Sequence, residues 1–155
     1  MRGLESPAIS IPRHWNAATV FLDSHVAQGH GSRTAIISAG RRHTYGEIRE
    51  EADRIGNALK DLGVRIEERV LIVLPDGPHF AAAFFGIMKM GAVSVPASTL
   101  LSPEDYLRTL EDSRAAALII AKDLCGKIEG IRASCHHLHH VVAVGDGPAP
   151  PGTID

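Results

Sequence analysis

The run Arg69–Leu74 (RVLIVL) limits the fold of this chain more than any other feature. It is apolar without alternation, the pattern of a strand buried on both faces, and such strands belong to parallel sheets covered by helices on each side. The surrounding rhythm agrees. A helix is expected over about His79–Met90, closed by Gly91, with Phe80, Phe84, Phe85, Ile87 and Met88 set among alanines. That surface is apolar nearly all round, which predicts a buried helix. Ala92–Val95 reads as the next strand. Ser102 then caps a helix with Pro103 at its first position and Glu104 and Asp105 in its first turn. Ala115–Ala121 is strand, Lys122–Arg132 is expected to be helix, and Val141–Val144 is strand. Strand–helix alternation with short connections predicts an α/β fold with a doubly wound, mostly parallel sheet.

The residues ahead of this unit carry their own signals. Asn16 caps a helix reaching to about Gln28, ended by Gly29-His30-Gly31. Thr34–Ser38 and Arg41–His43 flank Ala39-Gly40 and read as a small hairpin. Thr44 stands three residues before Glu47, a capping-box spacing. Behind it, Ile48, Ala52, Ile55, Leu59 and Leu62 share one helical face. Glu50 and Arg54 are expected to pair on the other face, and Gly63 stops the helix. The chain therefore divides into an irregular, Pro-dotted arm at 1–14, one α/β unit at 15–144, and a Gly/Pro-rich, linker-like tail at 145–155.

Composition excludes several functions. Net charge is −2, no Lys/Arg run forms a basic patch, and aromatics make up 5% of the chain. That leaves neither the electrostatic footprint nor the stacking platforms of a nucleic-acid binder. The start of the chain lacks the apolar core of a secretory signal, and no apolar run approaches the about 20 residues a membrane span needs. Cys125 and Cys135 form no disulfide framework. Together these predict a cytoplasmic protein with no membrane or nucleic-acid partner.

Chemical motifs fail in turn. Gly126-Lys127 is followed by Ile128, so no phosphate loop forms, and Gly145-Asp146-Gly147 leads into prolines rather than a dinucleotide-binding helix. There is no nucleophile elbow. Cys135-His136-His137-Leu138-His139-His140 contains good zinc ligands, but adjacent residues rarely converge on one ion. The plainer reading is a polar loop leading into the strand at Val141. Cys125 reads as a small buried apolar group, because no base stands fixed beside it. Asp23 and His25 lie too close on one helix to make a dyad. No catalytic residue and no metal ligand follow from these patterns.

Three segments in order carry a resemblance. HTYGEIREEADRIGNALKDLGV at His43–Val64, EERVLIVLPDGPHFAAAFFGIMKMGAVSVP at Glu67–Pro96 and SPEDYLRTLEDSRAAALII at Ser102–Ile120 resemble the adenylate-forming family of acyl-CoA synthetases, peptide-synthetase adenylation domains and luciferases. The likeness runs from about Trp15 to Val144. Asn16-Ala17-Ala18, Glu67–Val70 and Thr99–Tyr106 are most similar to benzoate–CoA ligases. Departures fall at Asp76 and His79, and at Pro96-Ala97-Ser98, where many relatives carry Asn/Glu and Pro-Leu-Asn.

The resemblance implies an N-terminal part of a ligase that activates a carboxylate as an acyl-adenylate with ATP and Mg²⁺ and transfers it to CoA. The family's phosphate loop, Mg²⁺-holding pair, ribose-binding Asp and catalytic lysine lie beyond the equivalent of Asp155. The chain by itself is thus expected to hold no cofactor and to be inactive, with the remainder of the ligase as its partner. Lys89 falls where some family members present a cation to the CoA nucleotide; an ordinary cation at a helix C-terminus is the competing reading. Two other functions stay open: a self-standing α/β interaction module, and a metal protein built on the His cluster.

Overall fold

The structure, a computed structural model, describes residues 12–155. The expected arm at 1–14 thus falls outside the described residues as far as residue 11. Asn16 opens an N-terminal helical segment, its Oδ1 accepting the Ala18 N–H at 2.9 Å. The segment is not the regular helix expected. It winds as wide π turns over Thr19–Asp23 and Val26–His30, with Gly29 at a φ of 82°. Ser24 Oγ donates to the Val20 carbonyl inside it, a back-bond of the kind that bends helices.

The hairpin forms as expected, with β1 (Thr34–Ser38) antiparallel to β2 (Arg41–Thr44). Its two-residue turn puts Ala39 and Gly40 both at positive φ, 48° and 75°, the twist that suits a tight hairpin. Thr44 then starts α1 (Tyr45–Asp61) with a complete capping box. Glu47 N donates to Thr44 Oγ1 at 3.2 Å, and Thr44 N donates to Glu47 Oε2 at 2.7 Å. Glu50 and Arg54, expected to pair, are absent from the ion pairs of the described residues. Glu51 instead turns to His79.

The main sheet consists of β3 (Arg69–Val73), β4 (Val93–Pro96), β5 (Ala117–Ala121) and β6 (His140–Val144). Its spatial order is β4-β3-β5-β6, and every neighbouring pair is parallel. Between strands run α2 (Pro78–Lys89) and α3 (Pro103–Ser113). Ser102 caps α3 as its spacing predicts, accepting the Asp105 N–H at 3.2 Å. The expected helix at Lys122–Arg132 is instead three short turns, Lys122–Leu124, Gly126–Glu129 and Arg132–Ser134. Gly126 and Gly130 interrupt it, and glycine is the weakest helix former after proline.

The two faces of the sheet bury different sets. Val70, Ile72, Ala117 and Ile119 pack under α1 and α2, with Leu59, Ala83 and Ile87. Leu71, Val73, Leu118 and Ile120 pack under α3, with Tyr106 and Leu110. The α1–α2 crossing brings backbone against backbone. A Cβ added to Gly86 would lie 2.5 Å from the Ala52 carbonyl oxygen, and one added to Gly56 would lie 3.0 Å from the Gly86 oxygen. This contact corrects the expectation for α2. Its fully buried positions are Ala82, Ala83, Gly86 and Ile87, whereas Phe80, Phe84 and Phe85 are half-buried at its margins. The close crossing leaves no room for large rings at its centre. Residues 145–155, read above as linker-like, turn back on themselves. Ala143 N donates to the Ile154 carbonyl at 2.7 Å and Ile154 N donates to Val141 at 2.9 Å, which lays the tail along β6.

Candidate functional site

The strand order sets where a ligand would lie. The chain leaves β3 to one side for β4, then recrosses to β5 on the other, so the order reverses between β3 and β5. In open α/β sheets, ligands bind beyond the carboxyl ends of strands at such a reversal. A crevice of about 660 Å³ sits there. Its floor runs along the β3–α2 connection from Leu74 to Pro78, with Ala121 at the end of β5, Asp123 just after it, and Gly145 and Asp146 after β6. The hairpin closes one wall with Ser38, Ala39, Arg41 and His43, and His79 stands beside it at the start of α2.

The charges lining the crevice are mixed. Arg41 Nη2 lies 3.4 Å from Glu47 Oε1, and the His79 ring nitrogen Nδ1 meets Glu51. Hydrogen bonding from the Thr44 backbone, assisted by Arg41, holds the Glu47 carboxyl below its ordinary value. Asp76, Asp123 and Asp146 add negative charge to the floor. Lys122, at the end of β5, reaches away to Asp155 at 2.6 Å and to the Gly147 carbonyl.

Two further lysines are engaged in a similar way. Lys127 Nζ donates to the carbonyls of Thr99 and Leu101, each at 3.0 Å, and sits 5.8 Å from the Tyr106 ring centroid. Lys89, the residue singled out for the CoA nucleotide, lies between two carboxylates. Its Nζ is 2.6 Å from Asp23 Oδ1 and 2.6 Å from Asp53 Oδ1. Burial pulls its pKa down, but the hydrogen bonds to Asp23 and Asp53 outweigh this and raise it above the ordinary value. With Asn16 Nδ2 donating to the Met88 carbonyl at 2.8 Å, Lys89 clamps the N-terminal segment onto α1 and α2.

The Cys135–His140 segment does not converge. Cys135 is buried in the core under α3, and burial pushes its thiol upward. His136 turns outward to Glu111, its N–H donating to Oε1 at 2.8 Å and its Nδ1 3.0 Å from Oε2. His139 N donates to the Ala116 carbonyl as the strand begins. Among the described residues, no group of three or more His, Cys, Asp or Glu is placed to hold a metal. Cys125 is also buried with its thiol pushed up by burial, the state of an inert thiol. His25, considered with Asp23, stacks on Tyr45 at 4.6 Å instead.

Sequence reasoning did not single out the crevice residues Arg41 and His43, and it met His79 only as a departure. The usable signal was positional: the loop after a doubly buried strand is where such sheets place ligands. A nucleoside triphosphate with Mg²⁺ needs converging cations, amides and carboxylates around its phosphates. Here Lys122, beside the crevice, is already engaged, and the floor is acidic. The described residues do not fit that group by themselves.

The chain matches the model of the AMP-binding enzyme family over residues 23–153. It belongs to that family. It is 39% identical to the 4-hydroxybenzoate–CoA/benzoate–CoA ligase of Rhodopseudomonas palustris, over 89% of this chain and 26% of that protein. It is 33% identical to the benzoate–CoA ligase of Thauera aromatica, over 90% of this chain and 27% of that one. Among solved structures, an anthranilate CoA ligase in complex with anthranoyl-AMP superposes with a TM-score of 0.87 at 36% identity, covering 94% of this chain and 27% of its own. A benzoate CoA ligase from Burkholderia xenovorans gives a TM-score of 0.78 at 30% identity, with 91% and 27% covered. The chain thus spans about a quarter of the length of the relatives it matches. No helix among the described residues is long and apolar enough to cross a membrane.

Proposed function

We propose that this chain forms the N-terminal quarter of an ATP-dependent aryl carboxylate–CoA ligase and that it is inactive by itself. The complete enzyme would activate a benzoate-like carboxylate as its acyl-adenylate and pass the acyl group to CoA. One observation carries the reading: benzoate- and hydroxybenzoate-CoA ligases match nearly the whole of this chain, at 33–39% identity, over only about a quarter of their own length. ATP, Mg²⁺ and CoA then belong to the complete enzyme. This chain's part is to build the half-sheet and the crevice rim against which the rest closes. We assign Lys89 to clamping the N-terminal segment rather than to the CoA nucleotide, because an anion would have to displace both Asp23 and Asp53. A cytosolic setting goes with this reading, and the free, buried Cys125 and Cys135 are in keeping with it.

The test is benzoate-dependent exchange of labelled pyrophosphate into ATP. The 155-residue chain with Mg²⁺ should match a no-protein control. A fusion in which this chain replaces the first quarter of the Rhodopseudomonas relative should exchange well above it. Exchange by the chain alone, surviving a second purification, overturns the inactivity. A fusion that folds but never exchanges overturns the ligase reading and favours a self-standing α/β interaction module.

A further inference from the structure

Loops that leave the carboxyl ends of parallel strands carry the function of such sheets only when the scaffold holds them in place. Two of these loops are joined here by one side chain. The connection after β4 passes through Ser98–Leu101 into the cap of α3, and Lys127 comes from the short turn Gly126–Glu129 after β5. The strand β3 separates β4 from β5 in the sheet, so no ladder ties the two loops together. The Lys127 ammonium does so instead, donating to the Thr99 and Leu101 carbonyls, each at 3.0 Å. Among the described residues no backbone N–H reaches either carbonyl, and a carbonyl without a partner is costly. Tyr106, fully buried beneath, adds a third bond: its hydroxyl donates to the Ser98 carbonyl at 2.8 Å. Its ring lies 5.8 Å from the ammonium, within cation–π reach.

The loop so held buries little of itself. Leu100, at its tip, is 88% exposed. Ordering a loop costs conformational entropy, and a bare tip returns no burial for it, so the bracing serves position rather than the core. What it positions is a wall. Ser98 and Thr99 line a cleft of about 280 Å³ with Asp76 and Phe80. This cleft shares Leu74, Pro75 and Asp76 with the crevice at the strand reversal. We propose that Lys127 is a positioning residue of the complete ligase: it braces the Ser98–Leu101 loop against the exit of β5 and so fixes a wall on which a substrate lies. The inference rests on the ligase reading above. Lys127 acts through the backbone of Thr99 and Leu101 and touches no substrate itself. A wall contributes binding that is alike in ground and transition states, so its loss raises KM and leaves kcat near its value.

The test uses the fusion to the remainder of the Rhodopseudomonas relative. Lys127→Met keeps an apolar stem and removes the donors. Thioester formation is measured while ATP, benzoate and CoA are varied in turn. The KM for one of the three should rise by about fivefold or more with kcat held within about twofold, the pattern of lost uniform binding. Lys127→Arg, which keeps donors on a long stem, should recover most of that loss. A role confined to stability would lower the melting temperature and kcat and leave all three KM values in place, and that result overturns the proposal. If Lys127→Met does not fold, Tyr106→Phe removes only the hydroxyl on Ser98 and should raise the same KM by a smaller factor; unchanged KM values there overturn it equally. The brace itself is read in the 155-residue chain, with a nitroxide on Leu100→Cys, since Cys125 and Cys135 are buried. Lys127→Met should free the label's motion, while a label on Ile66→Cys, at the amino end of β3, should not respond. Identical Leu100→Cys spectra with and without Lys127 overturn the brace and the proposal with it. A folded fusion that makes no thioester even with Lys127 in place breaks the ligase reading and takes this role with it. An active fusion whose KM values ignore Lys127 breaks the proposal alone.

Discussion

Ile119 and Val142 are partners in register on adjacent strands, facing the same side of one sheet. Both are β-branched and both lie in short apolar runs, ALIIA and HVVAV. Yet Ile119 is 1% exposed and Val142 only half-buried. The difference lies in what covers each strand, not in the strands. Ile119 lies under the α1–α2 layer, and Val142 lies one strand past its edge. Burial, and with it the energetic weight of a residue, is set by the layer above the sheet as much as by the residue's own chemistry.

The contrast can be broken or sharpened by substitution. Ile119→Ala removes a fully covered side chain and should cost about 2–5 kcal/mol in denaturant unfolding. A loss no greater than that of Val142→Ala would erase the distinction. Gly86→Ala tests the layer itself. Its Cβ would meet the Ala52 carbonyl oxygen at 2.5 Å, a backbone atom that cannot swing aside. A loss of about 1–3 kcal/mol is expected from overpacking, and an unchanged unfolding midpoint would mean that α1 and α2 are not in contact there. Phe84→Ala belongs between the two regions. The ring is half-buried at the margin of α2, so its cost should fall below the about 3–5 kcal/mol of a fully packed phenylalanine.

Val142→Ala should cost less than about 1 kcal/mol in this chain, since part of the side chain it would truncate is already exposed. The same change in the fusion with the ligase remainder should cost clearly more. The smallest effect concerns the capping box. Glu47 has a lowered pKa in the folded state, so its contribution is present above the ordinary carboxylate pKa and is lost as pH falls through the depressed value. Glu47→Gln should lower the melting temperature slightly at neutral pH and flatten the acid limb, so that the two profiles converge at low pH. An acid limb identical to that of the unchanged protein would remove Glu47 from the account.

Much of the fold was legible because it is written in short-range patterns. The capping box at Thr44, the N-cap at Ser102 and the doubly buried run at Val70–Val73 depend on neighbours a few residues away. The π turns near Ser24 were not legible, because a small local competition between backbone and side-chain hydrogen bonds decides them; the break after Lys122 follows from Gly126 and Gly130, whose weak helix preference was visible but not decisive in the sequence. The candidate site was less legible still. Arg41, His43 and His79 come from the hairpin and the start of α2, and they share a wall only because α1 packs on α2 and carries the hairpin beside it.

The sequence by itself determined the alternation of strands and helices, their caps and stops, and, through three ordered segments, the family. These are properties of period and local chemistry, and they survive wherever the chain is read. The tertiary structure alone decided the rest. It placed Lys89 between Asp23 and Asp53, residues 66 and 36 positions away, and so turned a candidate ligand contact into a clamp. It let Gly56 and Gly86 bring two helices to backbone contact, which moved the phenylalanines of α2 to the margins. It also left β6 covered on one face. An ion pair, a close approach and a bare face each depend on which distant segments meet, and no pattern confined to one segment records that.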